Sequence, residues 1–182
     1  MNAKTDYFLK ALNVLSWIIF IGLCVQAGGI IVNTFITLWL NPAGAGKFWM
    51  EINLIELHQY NQSFFITLAS QIIIVAVLKA IMFYLIVKTF HDKKLTLSEP
   101  FNETVRQFIA LIAWLALGIG LFSQWGTKFT ENLIAQGVNL PNIQQMGLAG
   151  ADVWFFMGVA LLVIARIFKR GIELQNENDL TI

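Results

Sequence analysis

The chain has 182 residues, of which 57% are hydrophobic and only 13% are charged. Soluble domains average about 25% charged residues, so this composition excludes an ordinary soluble protein and also an intrinsically disordered one. The net charge of +1 argues against direct nucleic-acid binding, which needs a basic face to neutralise phosphates. The single cysteine, Cys24, excludes an intrachain disulfide and a multi-thiolate metal site. The composition therefore predicts a membrane protein.

Four apolar runs are long enough to cross a membrane as helices, because a helix needs roughly 20 apolar residues for a hydrocarbon core about 30 Å thick. They are too long and too uniform for barrel strands, which alternate in short stretches. We predict an all-α integral membrane protein with one domain over residues 1–182. Its spans cover about residues 12–40, 64–87, 105–125 and 153–168, with loops at 41–63 and 127–150 and a tail at 169–182.

The first run is longer than a bilayer core requires. At 1.5 Å per residue it extends over about 43 Å, so we expect it to tilt, bend or project, with Gly28-Gly29 as the place of a bend. It is also much longer than the apolar region of a signal peptide, and we expect it to be retained.

Basic residues are distributed unevenly among the segments outside the spans. Because cytoplasmic segments carry the excess of Lys and Arg, the distribution predicts that both termini are cytoplasmic. The two loops predicted to lie outside carry only Lys47 and Lys128. The inner segments and span ends carry Lys4, Lys10, Lys88, Lys93, Lys94, Arg106, Arg166, Lys169 and Arg170.

Small and polar residues recur on one face of each span, which is typical of helices that pack closely in a membrane. Such faces predict a four-helix bundle, but they serve packing within one copy or between copies equally well, so the oligomeric state stays open. The residues are Gly22, Gln26, Gly29, Asn33 and Thr37 in the first span, Thr67, Ser70 and Gln71 in the second, Ala113, Ala116, Gly120, Ser123 and Thr127 in the third, and Ala151, Gly158 and Ala165 in the fourth.

Four polar residues inside the spans are the candidate buried polar site: Gln26, Asn33, Gln71 and Lys79. Lys79 needs the most explanation, because a Lys at a helix centre costs about 2.5–3.5 kcal/mol on insertion scales. One interpretation is that its side chain extends toward the inner headgroups or contacts a backbone carbonyl. The other is a role coupled to an ion or a ligand.

Two segments on the inner side are candidates for docking a soluble partner. Ser98 is a candidate N-cap of a short interfacial helix that leads directly into the third span. After the fourth span, the tail combines acidic, amide and apolar residues. The candidate docking residues are Pro100, Phe101, Asn102, Ile172, Leu174, Leu180 and Ile182.

No catalytic residue, metal site or cofactor is predicted. The two histidines, His58 and His91, fall on opposite sides of the membrane, and no nucleophile with its base is suggested. Glu51, Glu56 and His58 lack a metal-ligand spacing. We therefore expect a protein that is not an enzyme.

Three stretches resemble a known bacterial family, the domain of unknown function 2975. They are the pair Lys79-Ala80, the stretch Glu99-Pro100-Phe101-Asn102, and the tail Gly171-Ile-Glu-Leu-Gln-Asn-Glu-Asn-Asp-Leu-Thr-Ile. The resemblance implies a small multi-pass protein of the bacterial inner membrane with four helices, commonly encoded beside a short helix-turn-helix regulator. It implies no catalytic residues.

These observations favour a regulator or sensor in the membrane that docks a cytoplasmic partner, such as that helix-turn-helix regulator. A variant is a sensor that binds a lipid or another hydrophobic molecule between its helices. The alternative is a small transporter or channel with a polar path near Lys79. The expected partners are membrane lipids and a cytoplasmic protein, with no direct contact to nucleic acid.

Overall fold

Four long α-helices make up most of the computed structural model, which describes residues 3–50, 52–91 and 102–179. Within these residues every element is helical, apart from one antiparallel bridge between Trp49 and Ile52. The elements are α1 (Ala3–Trp39), a 3-10 helix (Pro42–Lys47), α2 (Ile55–Tyr60), α3 (Gln62–His91), α4 (Glu103–Ala135) and α5 (Ala151–Asp179).

The four long helices are long and apolar enough to cross a membrane. Much of their apolar surface lies outside rather than inside: the side chains of Val25 and Trp114, for example, are 60% and 63% exposed. Large apolar patches of this kind mark surfaces that contact other apolar material. The predicted all-α class with four apolar helices is therefore confirmed.

The helices extend beyond the apolar runs that predict them. α4 continues ten residues past the expected end at Trp125, so the connection to α5 is residues 136–150 rather than 127–150. The predicted tail at 169–182 is helical as far as Asp179, because α5 continues through it. In α4 the added turns bury Thr130 and Leu133, so one face of the helix still packs on the protein. Exposed charge pairs on the added turns, Lys128–Glu131 and Arg170–Glu173, contribute a few tenths of a kcal/mol each.

The start of α4 also differs from the sequence prediction. Asn102 has extended backbone angles, φ −131° and ψ 156°, and its side chain accepts a hydrogen bond from the Val105 backbone N–H. It is therefore the N-cap of a helix that begins at Glu103. The short interfacial helix predicted to start at Ser98 lies outside the described residues, which resume at Asn102.

The long helices lie side by side in chain order. α1 contacts α3, α3 contacts α4 and α4 contacts α5, and across the described ranges the α1 backbone approaches neither α4 nor α5. The bundle is therefore open. The two connections that the structure describes throughout most of their length are residues 40–61 and 136–150.

The α1–α3 connection (residues 40–61) covers one end of the helices, which we call the cap end. The side chains of Phe48, Leu54 and Leu57 are fully buried there against Phe65 of α3 and its neighbours. Asn33 of α1 donates from its amide nitrogen to the backbone carbonyls of Lys47 and Phe48, the latter at 2.6 Å. These contacts make residues 40–61 a cap on the helices.

The small-residue faces pack largely as expected. On α4, Ala113, Ala116, Gly120 and Ser123 are buried, and on α5 Ala151, Gly158 and Ala165 are buried. Gly22 and Ser70 are exceptions, because both are exposed. Stripes of small residues therefore identify the α4–α5 contact better than they identify the contacts of α1 and α3.

The pair Gly28-Gly29 lies within one continuous helix, and Gly29 provides close packing. A Cβ on Gly29 would lie 1.8 Å from Trp49 Cζ3, whereas a Cβ on Gly28 would meet nothing within 4 Å. The indole ring of the cap therefore rests directly on the backbone of α1.

We expect Gly29→Ala to destabilise the protein and Gly28→Ala to stabilise it. The first change forces Trp49 to move, at a cost of about 1–3 kcal/mol, while the second removes a flexible residue from a helix and gains about 0.5–1 kcal/mol. Thermal unfolding in detergent measures both. Equal shifts for the two neighbours would contradict the packing of Trp49 on α1.

Candidate functional site

The α4–α5 connection (residues 136–150) runs back along the helices before α5 begins. A Cβ on Gly120 would lie 3.2 Å from the Ala151 carbonyl, so α5 begins beside Gly120. Gly120 lies 15 residues before the end of α4, or about 22 Å along its axis. The connection therefore runs from the cap end back along α4 to the level of Gly120, about halfway along that helix.

The deepest part of this connection is buried. The side chains of Met146 and Leu148 are 2% and 0% exposed. Leu148 packs against Gly126, where a Cβ would lie 2.9 Å from Leu148 Cδ1. Its carbonyl accepts a hydrogen bond of 3.3 Å from the Thr127 hydroxyl. Glycine at 126 thus makes the room that Leu148 occupies.

Lys79 holds this connection to α3. Its Nζ donates a hydrogen bond of 2.9 Å to the Gly147 carbonyl and lies 5.6 Å from the ring centroid of Trp154 on α5. An ammonium within about 6 Å of an indole face is attracted by the ring. The side chain thus contacts a backbone carbonyl, one of the two interpretations of the sequence, and does not extend toward the basic end.

Gln26 reaches the same point from α1. Gly147 has φ +71°, a conformation that L side chains rarely adopt, and a Cβ there would lie 3.9 Å from Gln26 Nε2 and 4.0 Å from Lys79 Nζ. Glycine therefore satisfies the turn and leaves space between the two nitrogens. We call Gln26, Lys79, Gly147 and Trp154 the central polar site.

Lys79 has no acidic partner in the described part of the chain. The ion pairs found there involve Arg106, Lys128, Lys169 and Arg170. Asp152, in the first turn of α5, is exposed and forms no ion pair with Lys79. An unpaired ammonium among apolar side chains is costly, so the carbonyl of Gly147 and the indole of Trp154 carry its stabilisation.

Gln71 and Asn33, the other two candidates, lie elsewhere. Asn33 binds the α1–α3 connection, as described above. Gln71 is 3% exposed and neither amide atom has a hydrogen-bond partner; its Oε1 lies near Gly126 and Leu148. The Ser123 hydroxyl on α4 is likewise buried and unpartnered. Of the four candidates, Gln26 and Lys79 therefore lie close together at Gly147, whereas Gln71 and Asn33 lie at other places in the structure.

The docking candidates are only partly described. Asn102 caps α4, so its side chain is engaged in the fold. Ile172 is half-buried, and Leu174 is 46% exposed near the end of α5. Pro100, Phe101, Leu180 and Ile182 lie outside the described residues.

Sequence reasoning missed Gly147 and Trp154. The signal for Gly147 is weak, because a glycine in a loop normally indicates only a turn. Trp154 lies one turn into α5, where an aromatic residue is typical of a membrane interface. Neither residue can be assigned to the Lys79 site from the sequence, because the assignment depends on the course of residues 136–150.

A family model described as a protein of unknown function, DUF2975, matches residues 39–182. No curated protein and no solved structure matches the chain. The matched region begins at the last residue of α1 and includes Lys79, the α4–α5 connection and α5.

We expect Lys79→Met to loosen the α4–α5 connection, because it removes a charged hydrogen bond worth about 1.5–3 kcal/mol. The turn that presents Gly147 is closed by bonds from Gly147 N to the Gln144 carbonyl and from Leu148 N to the Ile143 carbonyl. Hydrogen exchange at these two amides should accelerate about tenfold or more.

The control for this measurement is Lys88→Met, which removes an exposed Lys near the end of the same helix. It should leave exchange in residues 143–148 unchanged. Equal exchange in wild type and Lys79→Met would show that Lys79 does not hold the connection.

Proposed function

The chain belongs to the DUF2975 family, and we propose that it is a non-enzymatic regulator or sensor in the membrane that docks a cytoplasmic partner. The proposal places it as a multi-pass protein in the bacterial cytoplasmic membrane. Four helices long and apolar enough to cross a bilayer support this location.

The distribution of charge supports an orientation with both termini in the cytoplasm. Lys88 of α3, Arg106 of α4 and Arg166 of α5 lie toward the end opposite the cap, which we call the basic end. The cap end carries Lys47 and Lys128. Because positive residues are retained on the cytoplasmic side, the basic end faces inward and the cap faces outward.

The observation that carries the function is the uninterrupted course of α5. The helix begins three residues after Leu148, beside the central polar site, and continues to Asp179 without a break. At 1.5 Å per residue it is about 43 Å long. Its backbone packs only against α4 among the described elements. A shift of the connection at Gly147 would therefore move the far end of a long helix whose backbone approaches one other helix.

The cytoplasmic end of α5 offers a docking surface beyond the basic residues. Leu174 is exposed there, and Ile172, two residues earlier, lies half-buried on the other side of the helix. An exposed apolar side chain on a helix suits a soluble partner with an apolar groove. The helix-turn-helix regulator that the family resemblance implies is the partner we propose.

A transporter or channel has less support. The space beside Gln71 is filled by Leu148, and Lys79 is bonded to Gly147. These contacts place protein atoms where a polar path would run.

The absence of catalysis is part of the proposal. Among the described residues no group of three His, Cys, Asp or Glu is close enough to hold a metal ion. The central polar site offers an ammonium, an amide and a backbone carbonyl, a set suited to binding.

The orientation predicts the labelling of single cysteines in a Cys24→Ala background. Gln59→Cys in the exposed part of α2 should react with a membrane-impermeant maleimide in intact cells, and Glu177→Cys on α5 should react only after permeabilisation. The reverse pattern would invert the topology and remove the docking proposal.

Two variants in one pull-down of the helix-turn-helix regulator test the docking surface at Leu174 and the coupling between the Lys79 site and that surface through α5. Leu174→Glu should abolish retention because it places a charge in the docking surface. Lys79→Met should reduce retention severalfold although Lys79 lies far from that surface, while Lys88→Met serves as the control. Full retention by Leu174→Glu would end the docking proposal, and full retention by Lys79→Met alone would end the coupling.

A further inference from the structure

A polar cavity opens at the cap end, between the α1–α3 connection and the α4–α5 connection. Its volume is about 230 Å³. The first connection contributes two of the described residues that line it and the second contributes four: Asn53, Glu56, Asn139, Leu140, Pro141 and Gln145. We call this space the outer cavity. It lies where two parts of the chain meet that are distant in sequence.

Backbone contacts orient two of the amide side chains around the outer cavity. Asn53 Oδ1 accepts a hydrogen bond of 3.0 Å from the Ile55 backbone N–H. Gln145 Oε1 accepts one of 3.3 Å from the Asn142 backbone N–H. Each of these amides is thus held by a turn of its own connection, so the lining has a defined geometry on both sides of the cavity.

Glu56 is the one charged residue among the described residues that line the outer cavity. Its side chain is exposed, and Asn139 Nδ2 donates to its Oε1 over 3.4 Å, which is long for a hydrogen bond. The ion pairs found in the described chain use Glu103, Glu131 and Glu173 instead. Within those residues no Lys or Arg balances the carboxylate of Glu56, and a cation is therefore its complement.

The rest of the lining narrows the chemistry of that cation. Three amide side chains each combine a donor with an acceptor, and hydroxyl groups, which also donate and accept, match them. Leu140 and Pro141 add apolar surface for the carbon skeleton of the ligand. An anionic or zwitterionic ligand would bring a second negative charge to Glu56, which is unfavourable. The lining therefore favours a positively charged molecule with hydroxyl groups.

The volume of the outer cavity sets the size of the ligand. About 230 Å³ lies below the range of roughly 300–1,000 Å³ that is typical of drug-sized pockets, so the cavity suits a molecule of the size of a single sugar. It is much wider than the site of a bare calcium ion, whose oxygen ligands converge at about 2.3–2.6 Å.

We propose that the outer cavity binds a small hydroxylated primary amine, of the class of the amino sugars. Its ammonium lies at Glu56, and its hydroxyl groups lie at the amides of Asn53, Asn139 and Gln145. This ligand rests on the proposed sensor function and on its orientation, because it names what the sensor detects on the outer side of the membrane.

A single turn joins the outer cavity to the central polar site. Gln145 precedes Gly147 by two residues, and Met146 between them is buried. Backbone hydrogen bonds close this turn over residues 142–148. A ligand that contacts Gln145 therefore stabilises the turn that presents the Gly147 carbonyl to Lys79. The site lies on the part of the chain that leads directly into α5.

The test titrates glucosamine, in its protonated form, into the full chain in phosphatidylcholine nanodiscs and measures binding by isothermal calorimetry. Wild type should bind one glucosamine per chain. Glu56→Gln should weaken binding at least tenfold, because it keeps the shape of the side chain and removes the charge. The matched control is Glu131→Gln, which removes an exposed carboxylate of α4 outside the outer cavity and should bind like wild type.

Two analogues test the two parts of the ligand on the wild-type protein, where the folding of a variant is not in question. Glucose has the same ring and hydroxyl groups without the charge, and methylamine has the charge without the ring. Each should bind at least tenfold more weakly than glucosamine. Glucosamine should also slow hydrogen exchange at the amides of Gly147 and Leu148 severalfold in wild type.

Absence of glucosamine binding to wild type would overturn the proposal, as would equal binding by Glu56→Gln or equal binding of glucose. Methylamine binding as tight as that of glucosamine would also overturn it, because only a site for simple cations would be left. Binding without slower exchange at Gly147 would overturn the link to the sensor. The pull-down of the regulator distinguishes the two proposals, since its loss in Leu174→Glu supports docking whether or not glucosamine binds.

Discussion

The bond between the Lys79 ammonium and the Gly147 carbonyl joins α3 to the α4–α5 connection at the centre of the structure. A cation in the middle of an apolar helix requires a partner, and the described chain offers it no carboxylate. The α4–α5 connection supplies a carbonyl instead, which requires the chain to turn back toward the centre after α4. The depth at which α5 begins, beside Gly120, follows from that requirement.

The α1–α3 and α4–α5 connections are each held by a polar side chain on a long helix that donates hydrogen bonds to backbone carbonyls. Asn33 of α1 binds the α1–α3 connection at Lys47 and Phe48, and Lys79 binds the α4–α5 connection. The backbones of the long helices approach only their sequence neighbours, so these two contacts connect parts of the chain that backbone packing leaves apart. An apolar cleft remains between α3, α4 and α5, lined by Ile86, Phe108 and Leu161 among others.

The features that can be read most directly from the sequence are the apolar runs and the presence of a charged residue inside one of them. The number of long helices can be predicted from the length of the apolar runs, and the importance of Lys79 from its position inside one of them. The ends of the helices cannot be predicted in this way, because α4 continues through polar sequence that carries pairs such as Lys128–Glu131. The hydrogen-bond partner of Lys79 cannot be predicted from the sequence either, because every residue has a carbonyl. Only the course of residues 136–150 brings the carbonyl of Gly147 to Lys79.

Every helix that the α4–α5 connection contacts through Gln26, Lys79 and Thr127 precedes it in the chain. Synthesis proceeds from the N-terminus, and earlier segments fold first. The connection therefore leaves the ribosome when α1, α3 and α4 already exist to receive it. The residues that receive the connection are therefore all synthesised before α5.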